Sequence, residues 1–372
     1  MIKIHDLATF DARLASEDGL AGVVVQGVDL AERTDALLGL TCVGTAFLGC
    51  SLAPSALAHV VAGGAVVFPD LDGVPFDPYR PHLYRQGELL AGWSEHVPSS
   101  FDSALDSRIY EWTRTGRDRG APTVMEALAR RLHDHAIDDA LGDHLASQGD
   151  VVAVMGGHSM KRTDDAYRLV AELGRSMARA GWHVATGGGP GAMEAANLGA
   201  WLSTAPDVAL ERSLHTLSVA VDYRDADAYL SAGAAVLDAE TGGGESLAVP
   251  TWFYGHEPTN QFATHVAKYF ANSIREDGLL AIATRGVVFA PGAAGTTQEV
   301  FQDATQNHYA VFGSASPMVF LDRRFWTDIL PAEPLLRTLA AQRPYADLIG
   351  VADSADEAME FLIAHPPITV PT

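Results

Sequence analysis

The stretch VVAVMGG, Val151–Gly157, constrains this chain most. Five apolar residues in a row, ending in paired glycines, describe a strand buried on both faces, because a half-exposed strand alternates apolar and polar positions. Such a strand belongs in a parallel sheet covered by helices, and it needs crossover helices beside it. The sequence supplies them. Asp164–Ala180 is amphipathic and stops at Gly181, and WHVAT (Trp182–Thr186) gives the next strand, so a βαβ unit opens at Val151. LHTLSVAV (Leu214–Val221) and GVVFA (Gly286–Ala290) read as further strands, with a helix from about Asn260 to Glu276 between them and another after Thr296. The expected fold is α/β: a Rossmann-like doubly wound parallel sheet with helices on both faces, over residues 151–372. Its ligand should sit beyond the carboxyl ends of the strands.

The chain before Val151 reads differently. VVVQGVDL (Val23–Leu30), AFLGCSL (Ala46–Leu52) and AVVFPDL (Ala65–Leu71) are strand-like pieces about twenty residues apart, a spacing that hints at a small repeated β unit. Residues 1–115 are therefore expected to form a smaller β-rich accessory domain. The Pro-rich segment VPFDPYRPHLY (Val74–Tyr84) reads as irregular surface chain whose aromatics can pack on the other domain. Residues 116–150 hold a connecting helix, from about Thr123 to Ala146 by its apolar spacing. The two cysteines, Cys42 and Cys50, are expected to be reduced core thiols. MIKIHDLATFDARL has no apolar run of signal-peptide length, and the longest runs, Val60–Phe68 and Gly286–Ala290, fall short of a membrane span. A soluble cytoplasmic protein is expected.

Lys and Arg number 25 against 47 Asp and Glu, a net charge of −22. That balance excludes nucleic acid and anionic membrane as partners, since both need clustered cations. It does not exclude an anionic small ligand, because backbone amides at a helix N-terminus hold a phosphate without any cationic side chain. Three loops at strand ends offer such amides: GGHS (Gly156–Ser159), TGGGPGAMEAA (Thr186–Ala196) and APGAAGTTQEV (Ala290–Val300). None is a GxGxxG dinucleotide loop or a GxxxxGK[ST] triphosphate loop, so a single phosphate suits them better.

GGGPGAMEAANLGA (Gly187–Ala200) together with PGAAGTTQE (Pro291–Glu299) resembles the paired motifs of the LOG family, named for the plant "lonely guy" cytokinin-activating enzymes and often mislabelled as lysine decarboxylases. The resemblance covers roughly Val151 to Gly313 and implies hydrolysis of the N-glycosidic bond of nucleoside 5′-monophosphates to free base and ribose 5-phosphate, with no cofactor and no metal. Carried over, Gly292, Gly295 and Thr296 cradle the phosphate, while Gly187, Gly188, Gly189 and Gly191 line the other side of the nucleotide. Glu299 is the catalytic carboxylate, and Arg275, sixteen residues before Pro291, is the family's arginine, with Arg285 as its rival. A homodimer or higher homo-oligomer is the implied assembly. Two departures stand out: Ala293 replaces the second glycine of PGG, and Glu276 follows Arg275 where the family has lysine.

By itself Glu299 reads as a glutamate near a helix start that favours the dipole; with the motif around it, a catalytic role is expected. Cleavage passes through an oxocarbenium-like state, which a carboxylate beside the ribose stabilises or serves by activating water. Glu299 lies three residues after Thr296, so one helix can hold phosphate at its tip and a carboxylate one turn along. Gly156, Gly157 and Ser159 follow the first strand, and Ser159 either bonds the nucleotide or caps the next helix. Met193 packs on the base or in the core. Glu194 touches the ligand or serves the helix dipole. Trp252, Phe253 and Tyr254 stack a base or seal a subunit contact, with the contact preferred, and His256, His265 and His308 lack a shared metal-ligand spacing. Lys161 and Lys268 have no supporting Schiff-base motif, which argues against pyridoxal phosphate chemistry. The alternative to an enzyme is a nucleotide-binding or sensing protein that uses the same loops without cleavage.

Overall fold

The computed structural model describes residues 2–16, 19–118 and 122–370. The chain divides into two units, Met1–Leu83 with Glu111–Asp143, and Tyr84–Tyr110 with His144–Thr372.

In the first unit β1 (Ile2–Ile4), β2 (Val23–Gln26), β3 (Ala46–Leu48) and β4 (Val66–Phe68) pair in the order 1-2-3-4, every neighbour parallel. The twenty-residue spacing is thus one strand plus one crossover. Helices Leu7–Leu14, Thr34–Leu38 and Pro54–Ala62 make the crossovers. Register puts Ile4, Val25 and Phe47 in one row, and this row packs with Phe10, Leu37 and Val60 from the helices. Cys42 and Cys50 are free and buried in that unit. Tyr79 and Arg80 of the Pro-rich segment pack on this unit's sheet, whereas its last residue, Tyr84, belongs to the second unit and donates its N–H to the Val266 carbonyl at 3.0 Å. Gln26 donates to the carbonyls of Tyr79 at 2.6 Å and Arg80 at 3.2 Å, and the Tyr79 ring lies against Gly49.

The second unit holds β5 (Val151–Met155), β6 (His183–Thr186), β7 (Ser246–Ala248), β8 (His265–Val266), β9 (Gly286–Phe289), β10 (Ser314–Ala315), β11 (Met318–Leu321), β12 (Ile349–Ala352) and β13 (Ile368–Thr369). Seven of them form a parallel sheet in the order 12-11-9-5-6-7-8, and β10 and β13 make a separate antiparallel pair. This is the doubly wound α/β sheet expected from the sequence. β5 is buried along its whole length, and Val152 and Val154 join a core with Tyr167, Val170, Leu173 and Met177 of helix Asp165–Arg179. From β5 the chain winds outward through β6 and β7 to β8, then returns to the other side of β5 to build β9, β11 and β12. The reversal opens a crevice between β5 and β9 at their carboxyl ends.

Two expected elements differ. Leu214–Val221 is not a strand: helix Asp207–Leu217 takes its first half, with Ala209, Leu210, Ser213, Leu214 and Leu217 buried at the helical period. The segment 260–276 is not one helix either. It contains β8, whose two residues are both buried against β7, and helix Asn272–Ile282 begins only afterwards. Among the described residues no helix is long and apolar enough to cross a membrane.

Candidate ligand site

The carboxyl ends of β5, β6, β7, β8 and β9 surround a cavity of about 560 Å³ in the second unit. The first and third glycine loops meet directly, since Gly157 N–H donates to the Pro291 carbonyl at 3.0 Å. The second loop closes on the first at Gly191, which has φ 73°. A side chain there would strike the Gly157 carbonyl, so only glycine allows the contact. Gly156 is equally confined: a Cβ would lie 2.6 Å from that of Ala192 and 3.0 Å from that of Ala290.

Buried polar groups fix the second loop from beneath. Thr186 Oγ1 donates to Asn197 Oδ1 at 2.7 Å and accepts the Gly188 N–H at 3.1 Å. Asn260 Nδ2 donates to the same Asn197 oxygen at 2.9 Å, and Asn197 Nδ2 donates to Ser246 Oγ at 2.9 Å. The remaining wall comes from the loops after β7 and β8 and from a segment distant in sequence. Asp106 is fully buried and accepts from Trp252 Nε1 at 2.7 Å and Thr259 Oγ1 at 2.9 Å, and it pairs with Lys268 Nζ at 2.8 Å. Coulombic attraction to Lys268 and His256 and hydrogen bonds from Lys268 and Thr259 hold the Asp106 carboxyl below its usual range against a large desolvation cost.

Helix Ala294–Tyr309 starts at the cavity, with Ala293, Ala294, Gly295, Thr296 and Glu299 lining it. Ala293 has φ −110°, outside the left-handed region that would favour a glycine. Arg275 Nη1 donates to Glu299 Oε1 at 3.1 Å. Arg275 is itself held by Asn272 Oδ1, at 3.2 Å from Nε and 2.9 Å from Nη2, while Glu276 accepts from Gln298 Nε2 at 2.7 Å. Glu276 is therefore part of the setting of Arg275. Burial pushes the Glu299 carboxyl up to about 7; Arg275 opposes the shift and the Glu276 charge adds to it. One turn further, Asp303 is buried with Oδ2 lacking a hydrogen-bond partner, and burial pushes its carboxyl well up.

Of the residues singled out in the sequence, Gly156, Gly157, Ser159, Gly187, Gly188, Gly189, Met193, Arg275, Gly295, Thr296 and Glu299 line the cavity. Gly191, Gly292 and Glu194 do not. Gly191 supports the first loop as described, and Gly292 backs onto Thr296. Glu194 is buried away from the ligand space, paired with Arg162 at 2.6 Å and accepting from Tyr167 Oη at 2.8 Å and Tyr229 Oη at 2.6 Å. Ser159 caps no helix; the next one is preceded by Asp164. Arg285 lies over the Trp182 ring at 4.7 Å and donates to the Leu362 carbonyl, away from Glu299. Trp252 is buried, whereas Tyr254 lines the cavity. His256 stacks between Phe101 and Tyr110 at 4.7 and 5.0 Å. The sequence reading missed Glu257, Asn260 and Lys268 as cavity residues. The polar run HEPTN between two apolar stretches was the available signal for the first two.

Residues 150–208 match the SLOG cluster4 family, a segment that carries the first two glycine loops. Among solved structures the chain is similar to the molybdenum cofactor binding protein of the phototrophic bacterium Rippkaea orientalis, with 15% identity and a TM-score of 0.38 over 59% of this chain and 98% of that one. It is also similar to the Moco carrier protein of Chlamydomonas reinhardtii, with 18% identity and a TM-score of 0.36 over 58% of this chain and 99% of that one. No curated protein matches the chain.

Proposed function

We propose that this protein hydrolyses the N-glycosidic bond of nucleoside 5′-monophosphates, releasing free base and ribose 5-phosphate. The observation that carries the reading is the Arg275–Glu299 pair one helical turn from the Gly295–Thr296 tip. The 5′-phosphate binds the free N–H groups of that tip and the Thr296 hydroxyl, where the helix end favours an anion. The ribose then lies beside Glu299. As the C1′–N bond breaks, the carboxylate stabilises the oxocarbenium character and takes a proton from the attacking water. Arg275 orients the carboxylate and keeps it ionisable in its buried setting.

The catalytic region in this reading is 151–372, joined by Tyr84–Tyr110, which belongs to the same unit. We also propose a cytoplasmic homo-oligomer. Tyr309, Val311 and Phe312 support it, standing 73%, 58% and 58% exposed at the end of the Glu299 helix, and light scattering checks it. The test of activity is incubation with AMP, CMP, GMP and UMP, following base and ribose 5-phosphate by chromatography. Release of base from at least one is expected. Tight binding of all four with cleavage of none would favour the non-catalytic binding protein instead.

A further inference from the structure

The cavity contains a second carboxyl that this reaction has not used. Glu257, from the loop between β7 and β8, lines the cavity. Its Oε2 lies 2.8 Å from the position a Cβ would take on Gly189, and its Oε1 is 3.8 Å from His158 Nδ1. Arg275 Nη1 lies 3.7 Å from the corresponding position on Gly187, at the other end of the triple-glycine run. Met193 bridges the two ends, with its Sδ 2.8 Å from the Gly187 position and its Cε 2.8 Å from the Gly189 position. The run Gly187–Gly189 therefore has the Arg275–Glu299 pair at one end, Glu257 at the other, and a polarisable thioether between them. With phosphate at Thr296 and ribose at Glu299, the part of the nucleotide left to reach Glu257 is the base, whose flat apolar face suits the methionine.

We infer that Glu257 is the general acid of the site, donating its carboxyl proton to a ring nitrogen of the departing base. The inference rests on the hydrolase reading above. In the step, the C1′–N bond breaks with its electron pair going to the base, and the Glu257 proton neutralises that nitrogen. Water adds to C1′ and gives its proton to Glu299. Solvent then returns a proton to Glu257 as Glu299 loses one, so the cycle balances. The surroundings suit an acid. Desolvation pushes the Glu257 carboxyl up, and the charges opposing this are His158 and Lys268. Lys268 is committed to Asp106, and Tyr223, which also faces this carboxyl, is neutral at ordinary pH.

The test compares wild type, Glu257→Gln and Glu299→Gln on the best nucleoside monophosphate and on 4-nitrophenyl β-D-ribofuranoside 5-phosphate, whose leaving group departs without a proton. Glu257→Gln should lower kcat/KM on the nucleotide by about 10²–10⁴-fold, and on the nitrophenyl substrate by at least about tenfold less. It should also abolish the fall in nucleotide cleavage as pH rises through the acid's pKa, and Glu257→Asp should restore part of the rate. Glu299→Gln should lower both substrates alike. Calorimetric binding of the nucleotide to Glu257→Gln verifies that the site is folded. Equal loss on both substrates, or loss on neither, overturns the acid role and leaves the hydrolase reading standing. A wild type that cleaves neither substrate overturns both.

Discussion

The two sheets of this protein use the same local grammar and reach different ends. Both are parallel, both alternate strands with helices, and both bury an apolar row beneath those helices. The first is wound in one direction, β1 to β4, each strand beside its predecessor. Its successive loops follow one another along an edge and never diverge. The second reverses between β5 and β9, so neighbouring strands send their chains to opposite sides and leave a crevice at the seam. Every glycine loop singled out in the sequence opens onto that crevice. Winding direction, more than composition, accounts for where the cavity of the second sheet lies.

Substitutions in the two sheets can break this contrast. The largest effect is expected at Glu299: Glu299→Gln should reduce kcat/KM on nucleoside monophosphates by about 10²–10⁴-fold while nucleotide still binds by calorimetry. The counterpart in the first sheet is Phe47→Ala, which empties a fully buried core position. It should cost about 3–5 kcal/mol in urea unfolding, with kcat/KM of the remaining folded protein unchanged. Activity lost in step with neither folding nor binding there would show that the first unit contributes chemistry.

Smaller effects probe the glycines. Gly191→Ala meets both positive φ and the Gly157 carbonyl, and should cost about 1–3 kcal/mol and disturb the site, seen as weaker nucleotide binding. Gly27→Ala, in the first unit, has φ 66° with nothing near its added methyl. It should cost about 1 kcal/mol and leave binding alone. Equal effects on binding would remove the distinction between the two loops.

The last prediction concerns pH. The folded pKa of Glu299, about 7, lies above its ordinary 4.5, so the folded state holds this proton more tightly than the unfolded chain. Stability from this group is therefore full below about pH 4.5 and falls as pH rises to about 7. Asp303 acts with the same sign. Glu299→Gln should raise the Tm relative to wild type more at pH 8 than at pH 5. A difference that is the same at both pH values would mean the carboxyl is not raised.

Much of the second sheet was legible because burial on both faces writes itself as unbroken apolar runs. VVAVM and GVVF became β5 and β9 at their expected places. Glu299 stood out through the motif around it, since alone a glutamate in a first helical turn reads as a partner of the helix dipole; the structure places it at the cavity beside Arg275. Leu214–Val221 misled because alternating and helical patterns coincide over so short a stretch. Asp106 and Lys268 stand 162 residues apart, and no local pattern in either announces their pairing. The same holds for Asp106 with Trp252, 146 residues away. Side chains that meet only through the tertiary fold leave no period to read.

The amide and hydroxyl contacts among Thr186, Asn197, Asn260 and Ser246 carry a consequence for recognition. They set the triple-glycine run during folding, before any ligand arrives, so binding need not spend free energy on ordering that loop. The seat is cast in advance. Differences in affinity among ligands then report how each one fits, and a plot of affinity against ligand shape measures the cavity itself.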